Sequence, residues 1–283
     1  PAPIFLNVFI AEHLISPLIN KFITMFRQIT LCLLVLSLIW QSCTVNNVTI
    51  DDKLGKIFEK YQVTGTFGMF DNSRGEFTIY DLERFKSPAS PGQTFDILST
   101  LIGLHTGKLT DERSVISDSL GKVMRIDSAF VGQSATHFEA LATLIGKDTL
   151  KFWVDSVKYG NRKIAAGKGA FWNDTLQISP DEQLGLVKRL YFRQHPFRAS
   201  VQESVKKMMI VENNAQHQLA YHTAAVQTAG KQLCWVIGWI EENRHVYPFV
   251  LQFDAKQGEN VTETGIKLTK DILDDLGFFK GRM

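Results

Sequence analysis

The order of the apolar segments constrains this chain most: strand-like runs stand near both ends, and helical periodicity fills the middle. Leu54, Ile57, Phe58 and Tyr61 recur at three- and four-residue steps, which predicts an amphipathic helix. Thr64–Phe70 and Glu76–Tyr80 read as strands, with Asp71-Asn72-Ser73-Arg74-Gly75 as the turn of a hairpin. Thr94–His105 carries Phe95, Leu98, Leu101, Ile102 and Leu104, a buried helix stopped by Gly107. Residues 137–192 read as mostly helical around a loop at 159–173, and Ser179 before Pro180 is a helix start. Val201–Val211 predicts another helix, Cys234–Ile240 and Val246–Phe253 two strands, and Ile266–Leu276 a closing helix ended by Gly277. Such an order fits a sheet completed by both chain ends with a helical block inserted between its strands. The expected fold class is α/β (α+β): a mainly antiparallel sheet flanked by helices, plus an all-helical lobe.

Composition removes several function classes. Lys+Arg number 31 against 29 Asp+Glu, a net charge of +2, which leaves no electrostatic footprint for nucleic acid. Three cysteines are too few for a disulfide framework. A mean hydropathy of -0.04 excludes a polytopic membrane protein. The seven histidines show no metal-type spacing with the acidic residues, so neither metal nor cofactor is expected.

The N-terminus reads as targeting. Residues 1–24 are apolar but broken by Pro3, Glu12, Pro17 and Lys21, and read as a spurious or untranslated extension ahead of a second start at Met25. From Met25, a short cationic stretch, the apolar run Ile29–Trp40 and Gln41-Ser42-Cys43 form a secretory signal, too short for a comfortable membrane span. Cys43 after Ser42 resembles a bacterial lipobox, with Trp40 where Leu is usual. Residues 25–43 are therefore expected to be a lipoprotein-type signal, with a cleaved signal and an uncleaved anchor as alternatives. Cys43 is the expected lipidation site, the location the periplasm or outer membrane, and residues 44–283 one domain. Loss of residues 1–42 takes away Glu12, Lys21 and Arg27, leaving 29 basic and 28 acidic residues. Cys234, inside the apolar run Leu233–Ile240, reads as a buried core thiol.

Several ordered blocks resemble the class D, oxacillinase-type β-lactamases of the penicillin-recognising serine enzymes. Thr94-Phe95 with Leu101-Ile102-Gly103-Leu104 and Thr106-Gly107 resembles the helix after that family's nucleophile. Tyr159-Gly160-Asn161 matches its YGN motif, and Phe171-Trp172 followed by Leu176-Gln177-Ile178-Ser179 resembles its FW…LRIS segment. Met208–Glu212 and Trp235-Val236-Ile237-Gly238-Trp239 are further shared blocks, and the likeness covers roughly residues 50–278. It implies a serine β-lactamase/transpeptidase fold.

The chemistry that the resemblance implies is missing from its positions. The family's Ser-x-x-Lys, whose lysine is carboxylated to act as base, falls on Gln93 and Asp96. Its Ser-x-Val becomes Gln133-Ser134-Ala135, and its Lys-Thr-Gly becomes His222-Thr223-Ala224. Its carboxylate-holding arginine aligns with Gly265. Trp172, which in relatives donates to the carbamate, is expected either to donate to Asp96 or to pack under its loop. Trp172, Thr223, Ala224 and Ser134 are the expected cleft residues, between the Gln93 helix start and the His222 strand. Pro88-Ala89-Ser90 offers a second alignment with Ser90 as nucleophile, yet Gln93, not Lys, follows three residues later.

Three readings follow: a non-catalytic envelope protein binding a β-lactam-like or peptidoglycan-derived ligand or a partner; a β-lactam hydrolase using Ser90 or Ser134; and a scaffold with no cleft ligand. The first is the expectation, because nucleophile, base, relay, cation and clamp are all replaced.

Overall fold

The structure, a computed structural model, describes residues 21, 25–28, 30, 47–164, 175–228, 230–256 and 260–280. The chain divides into two units, Pro1–Asn46 and Asn47–Met283. In the first, residues 25–28 are helical and exposed. Among the described residues no helix is long and apolar enough to cross a membrane. Cys43 lies outside the described residues.

The second unit is built on seven strands: β1 (Asn47–Ile50), β2 (Thr64–Asp71), β3 (Glu76–Tyr80), β6 (Ile210–Asn213), β7 (His217–Thr228), β8 (Lys231–Glu242) and β9 (His245–Lys256). Their order is β1-β3-β2-β9-β8-β7-β6. Strands β1 and β3 pair in parallel; every other neighbour pair described is antiparallel. Helix α1 (Gly55–Lys60) precedes β2, and α2 (Leu82–Phe85) follows β3. The inserted block then runs α3 (Phe95–His105), a two-stranded sheet of β4 (Val115–Ser117) and β5 (Val123–Arg125), α4 (Ile126–Val131), α5 (Ala135–Ile145), α6 (Lys147–Ser156), α7 (Pro180–Tyr191) and α8 (Ala199–Met209). Helix α9 (Val261–Asp275) closes the chain. The strands supplied by both ends and the helical insertion are as the sequence predicts; the β4–β5 ribbon is an addition to the lobe.

Strand alternation sorts the core into two layers. On β8, Cys234, Val236 and Ile240 join Leu54, Phe58, Leu268 and Ile272 under α1 and α9. Leu233, Trp235, Ile237 and Trp239 face the other way and join Phe95, Leu98, Leu101 and Leu141 of the helical lobe. On β7, Ala220 and Ala224 belong to the lobe side, so His222 between them is aimed at α3. Strand β6 pairs with β7 only from Gln218 to Ala220. Beyond Ala220 the β7 edge is therefore left to the start of α3 and the α4–α5 turn.

Local chemistry fixes the ends of the elements. Ser179 and Glu182 form a reciprocal capping box at α7, with Pro180 at the first helical position. In the YGN segment, Gly160 has φ +48 and a Cβ there would stand 2.0 Å from the Gln177 carbonyl oxygen, so only glycine fits.

Candidate functional site: the α3 start against β7

Gly92–Thr94 form a 3-10 turn that runs directly into α3. Gly92 has φ +52, and a Cβ on it would meet Val226 Cγ2 at 2.4 Å and Ala224 Cβ at 3.2 Å. The turn is thus pressed onto β7. This places Gln93 and Asp96, predicted to stand at the family's nucleophile and base positions, beside His222, Thr223 and Ala224.

The contact is polar as well as steric. His222 Nε2 lies 3.0 Å from the Gln93 carbonyl oxygen and donates to it. Its ring stacks on Phe130 of α4, centroids 4.2 Å apart and 25° between planes. Gln133, with φ +51 in the α4–α5 turn, donates through Nε2 to Thr223 Oγ1. Asp96, His222, Thr223 and Ala224 are all buried. The first of these hydrogen bonds joins the helix start to β7, and the second joins the α4–α5 turn to the same strand.

Asp96 is fully buried, and among the described residues neither carboxyl oxygen has a hydrogen-bond partner. Desolvation alone pushes its pKa well above the usual carboxylate range. His222 Nε2 is 3.9 Å from Asp96 Oδ2. Burial lowers the imidazole pKa to about 4, opposed by the Gln93 carbonyl, which favours the charged form. At neutral pH His222 is uncharged, so it gives Asp96 no cation to offset its desolvation. Trp172 lies outside the described residues.

A second polar chain supports the turn from below. Thr94 Oγ1 donates to the Pro91 carbonyl at 2.7 Å and accepts from Gln183 Nε2 at 2.6 Å. Gln183 also reaches the hydroxyl of buried Tyr159 at 3.5 Å. Burial holds that phenol well above its ordinary pKa, although its hydrogen bonds with Thr94 and Gln183 act the other way. Ser90 is buried two residues before the 3-10 turn, and its carbonyl accepts from Trp235 Nε1 at 2.9 Å. Gly265 does not reach the site. It sits within α9, where an added Cβ would meet Cys234 Sγ at 2.8 Å, in the opposite core layer. Position 265, aligned with the family's arginine, therefore stands away from the α3–β7 contact. Cys234 is buried and free, and burial raises its thiol to about 12.

Sequence reasoning missed Phe130, Gln183 and the reach of Gln133 to Thr223. Phe130 carries a weak signal, as one apolar residue of a six-residue helix. The Gln133 contact has none, since it depends on where β6 stops.

The turn-and-strand arrangement, with a helical lobe inserted in an antiparallel sheet, is that of the penicillin-binding proteins: residues 59–276 match the penicillin binding protein transpeptidase domain, and the chain belongs to that family. Within it the chain is similar to the class D β-lactamases. It is 29% identical over 245 residues to probable β-lactamase YbxI of Bacillus subtilis, spanning 82% of this chain and 86% of that one. It is 30% identical over 214 residues to β-lactamase OXA-20 of Pseudomonas aeruginosa, spanning 71% and 78%. The C-terminal domain of the Bacillus licheniformis BlaR penicillin-receptor shares the fold at a TM-score of 0.78 and 24% identity, over 84% of this chain and 99% of that domain.

Proposed function

We propose that this chain is an exported, lipid-anchored protein of the cell envelope that uses the class D fold for binding and forms no acyl-enzyme with β-lactams. One observation carries the reading: the position aligned with the family's nucleophile offers the Gln93 amide, and one turn on stands the buried carboxyl of Asp96, without a hydrogen-bond partner among the described residues. An amide is no nucleophile, and burial disfavours the charged form of the Asp96 carboxyl, the form a general base needs. The ligand is a β-lactam-like or peptidoglycan-derived molecule or an envelope partner. A relative of the same fold is described as a penicillin receptor, which supports binding as a use for it.

The test is intact-protein mass spectrometry after incubation with benzylpenicillin, with nitrocefin turnover measured in parallel. The expected result is no added acyl mass and intact nitrocefin. Turnover of about 1 per second or faster, within the usual range for enzymes, would overturn the reading. So would a stable acyl adduct. An adduct mapping to Ser134 would replace it with a weak β-lactam hydrolase, which the bond of Ser134 to His137 favours over buried Ser90.

A further inference from the structure

The α4–α5 turn holds a hydrogen-bonded pair of side chains, Ser134 and His137, apart from the α3–β7 contact. Ser134 is the residue immediately before α5, and His137 stands one helical turn later. Ser134 Oγ lies 2.7 Å from His137 Nδ1. His137 Nε2 lies 3.0 Å from the Lys122 carbonyl oxygen, an acceptor only. That contact fixes the tautomer: Nε2 carries the proton, Nδ1 is the lone-pair nitrogen, and the Ser134 hydroxyl donates to it. A hydroxyl bonded to an imidazole that is itself oriented by a third group is the arrangement that activates a serine.

The surroundings suit such a role. Gln133, just before Ser134, holds a left-handed φ of +51, a strained conformation kept in place by its bond to Thr223. Ser134 is half-buried while His137 is buried. Among the described residues no side chain caps α5, because the Ser134 hydroxyl turns to His137 instead. The amides of the first α5 turn thus remain as donors for an oxyanion. Thr136, whose hydroxyl is 3.4 Å from the same ring nitrogen, lines a groove of about 610 Å³ between β4 and α5. Val115, Ile116, Ala140 and Leu144 give that groove its apolar lining, and Asp118, which accepts from Thr136 Oγ1 at 3.1 Å, and Glu139 line it too.

We propose that Ser134 and His137 are a nucleophile–base pair for carboxylic esters with an apolar acyl chain, which lies in the groove between β4 and α5. Ser134 Oγ bonds to the ester carbonyl carbon as its proton passes to His137 Nδ1. The bond to the alcohol oxygen breaks, and the proton leaves with the alcohol. Water then bonds to the same carbon, gives a proton to His137 and expels Ser134 Oγ, which takes the proton back. The products are one acid and one alcohol. The imidazole is oriented by a neutral carbonyl rather than a carboxylate, so esters and not amides are the substrate class. The proposal is independent of Gln93 and Asp96, and it holds whether or not β-lactams acylate the chain.

The test uses the full chain in detergent with p-nitrophenyl butyrate, and with a fluorophosphonate that loses fluoride as its phosphorus bonds to serine. One adduct on Ser134 is expected, absent in Ser134→Ala and kept in Ser73→Ala, a substitution in the β2–β3 turn. His137→Gln is expected to slow p-nitrophenolate release about 100-fold or more. Should His137→Gln fail to fold, Ser134→Cys gives a second readout: its thiol is expected to react with iodoacetamide at least tenfold faster than free cysteine. An adduct elsewhere, wild-type p-nitrophenolate release from Ser134→Ala, or a Ser134→Cys thiol no faster than free cysteine would overturn the proposal.

Discussion

Asp96→Asn tests the account of the site most directly, because it removes the titration and keeps the volume. In the folded chain the Asp96 carboxyl has lost its water and gained no partner among the described residues. Its pKa is raised well above 3.8, so over the interval from 3.8 to the folded value the folded state holds a proton that the unfolded state has released. Stability must then fall as pH rises through that interval, by about 1.4 kcal/mol per pH unit, and stay low above it. For a domain of this size, each pH unit of that interval lowers Tm by roughly 3–6 °C. Asparagine is neutral throughout and carries no such slope. The assay is urea unfolding of both proteins across a pH series from about 5 to 8. The Asp96→Asn protein is expected to be the more stable at the upper end, with the gap closing on acidification. Parallel curves, or an Asp96→Asn protein less stable at neutral pH, would refute a buried, uncompensated carboxyl.

Three further outcomes follow from the same contacts. His222 has its pKa lowered to about 4, so the unfolded state binds the extra proton between its ordinary value of about 6.5 and 4; stability is lost as pH falls through that window, by about 3 kcal/mol in all. His222→Gln should flatten that limb of the pH–stability curve measured by urea unfolding. Gly92→Ala should destabilise by about 1–3 kcal/mol, since it adds a Cβ 2.4 Å from Val226 Cγ2 at a positive φ, and Val226→Ala should recover part of the loss in a double-mutant cycle. Ser179→Ala should cost about 1 kcal/mol in thermal unfolding by removing one half of the α7 capping box, and Ser179→Gly should cost less.

Elements with a strong local signal were legible. The β2–β3 hairpin is announced by its five-residue turn, α7 by Ser179-Pro180, and α9 by its period and by Gly277. The helix predicted over Val201–Val211 instead ends at Met209, and Ile210 turns extended with ψ 120. No glycine or proline marks that switch; it is made by pairing with β7, which a local pattern cannot reveal. The three-residue strands β4 and β5 are too short to show alternation. At the site, the family resemblance singled out Gln93, Asp96, Gln133 and His222 as residues to look at together. Their mutual contacts were not legible, since His222 to Gln93 and Gln133 to Thr223 join residues about a hundred positions apart in the chain.

The parallel strand β1 has a mechanical consequence. It enters the sheet at the edge beyond β3, five strand spacings from β7, or about 24 Å. A pull arriving from upstream of Asn47 therefore loads the β1–β3 hydrogen bonds first, in a four-residue register from Asn47↔Glu76 to Ile50↔Ile79. All four β1 residues are exposed, so the strand can peel while the core layers stay packed. Four extended residues span about 13 Å, so peeling releases that length of chain without disturbing the α3–β7 contact. The edge strand is thus a sacrificial extension spring, and it sits on the far side of the sheet from the α3–β7 contact.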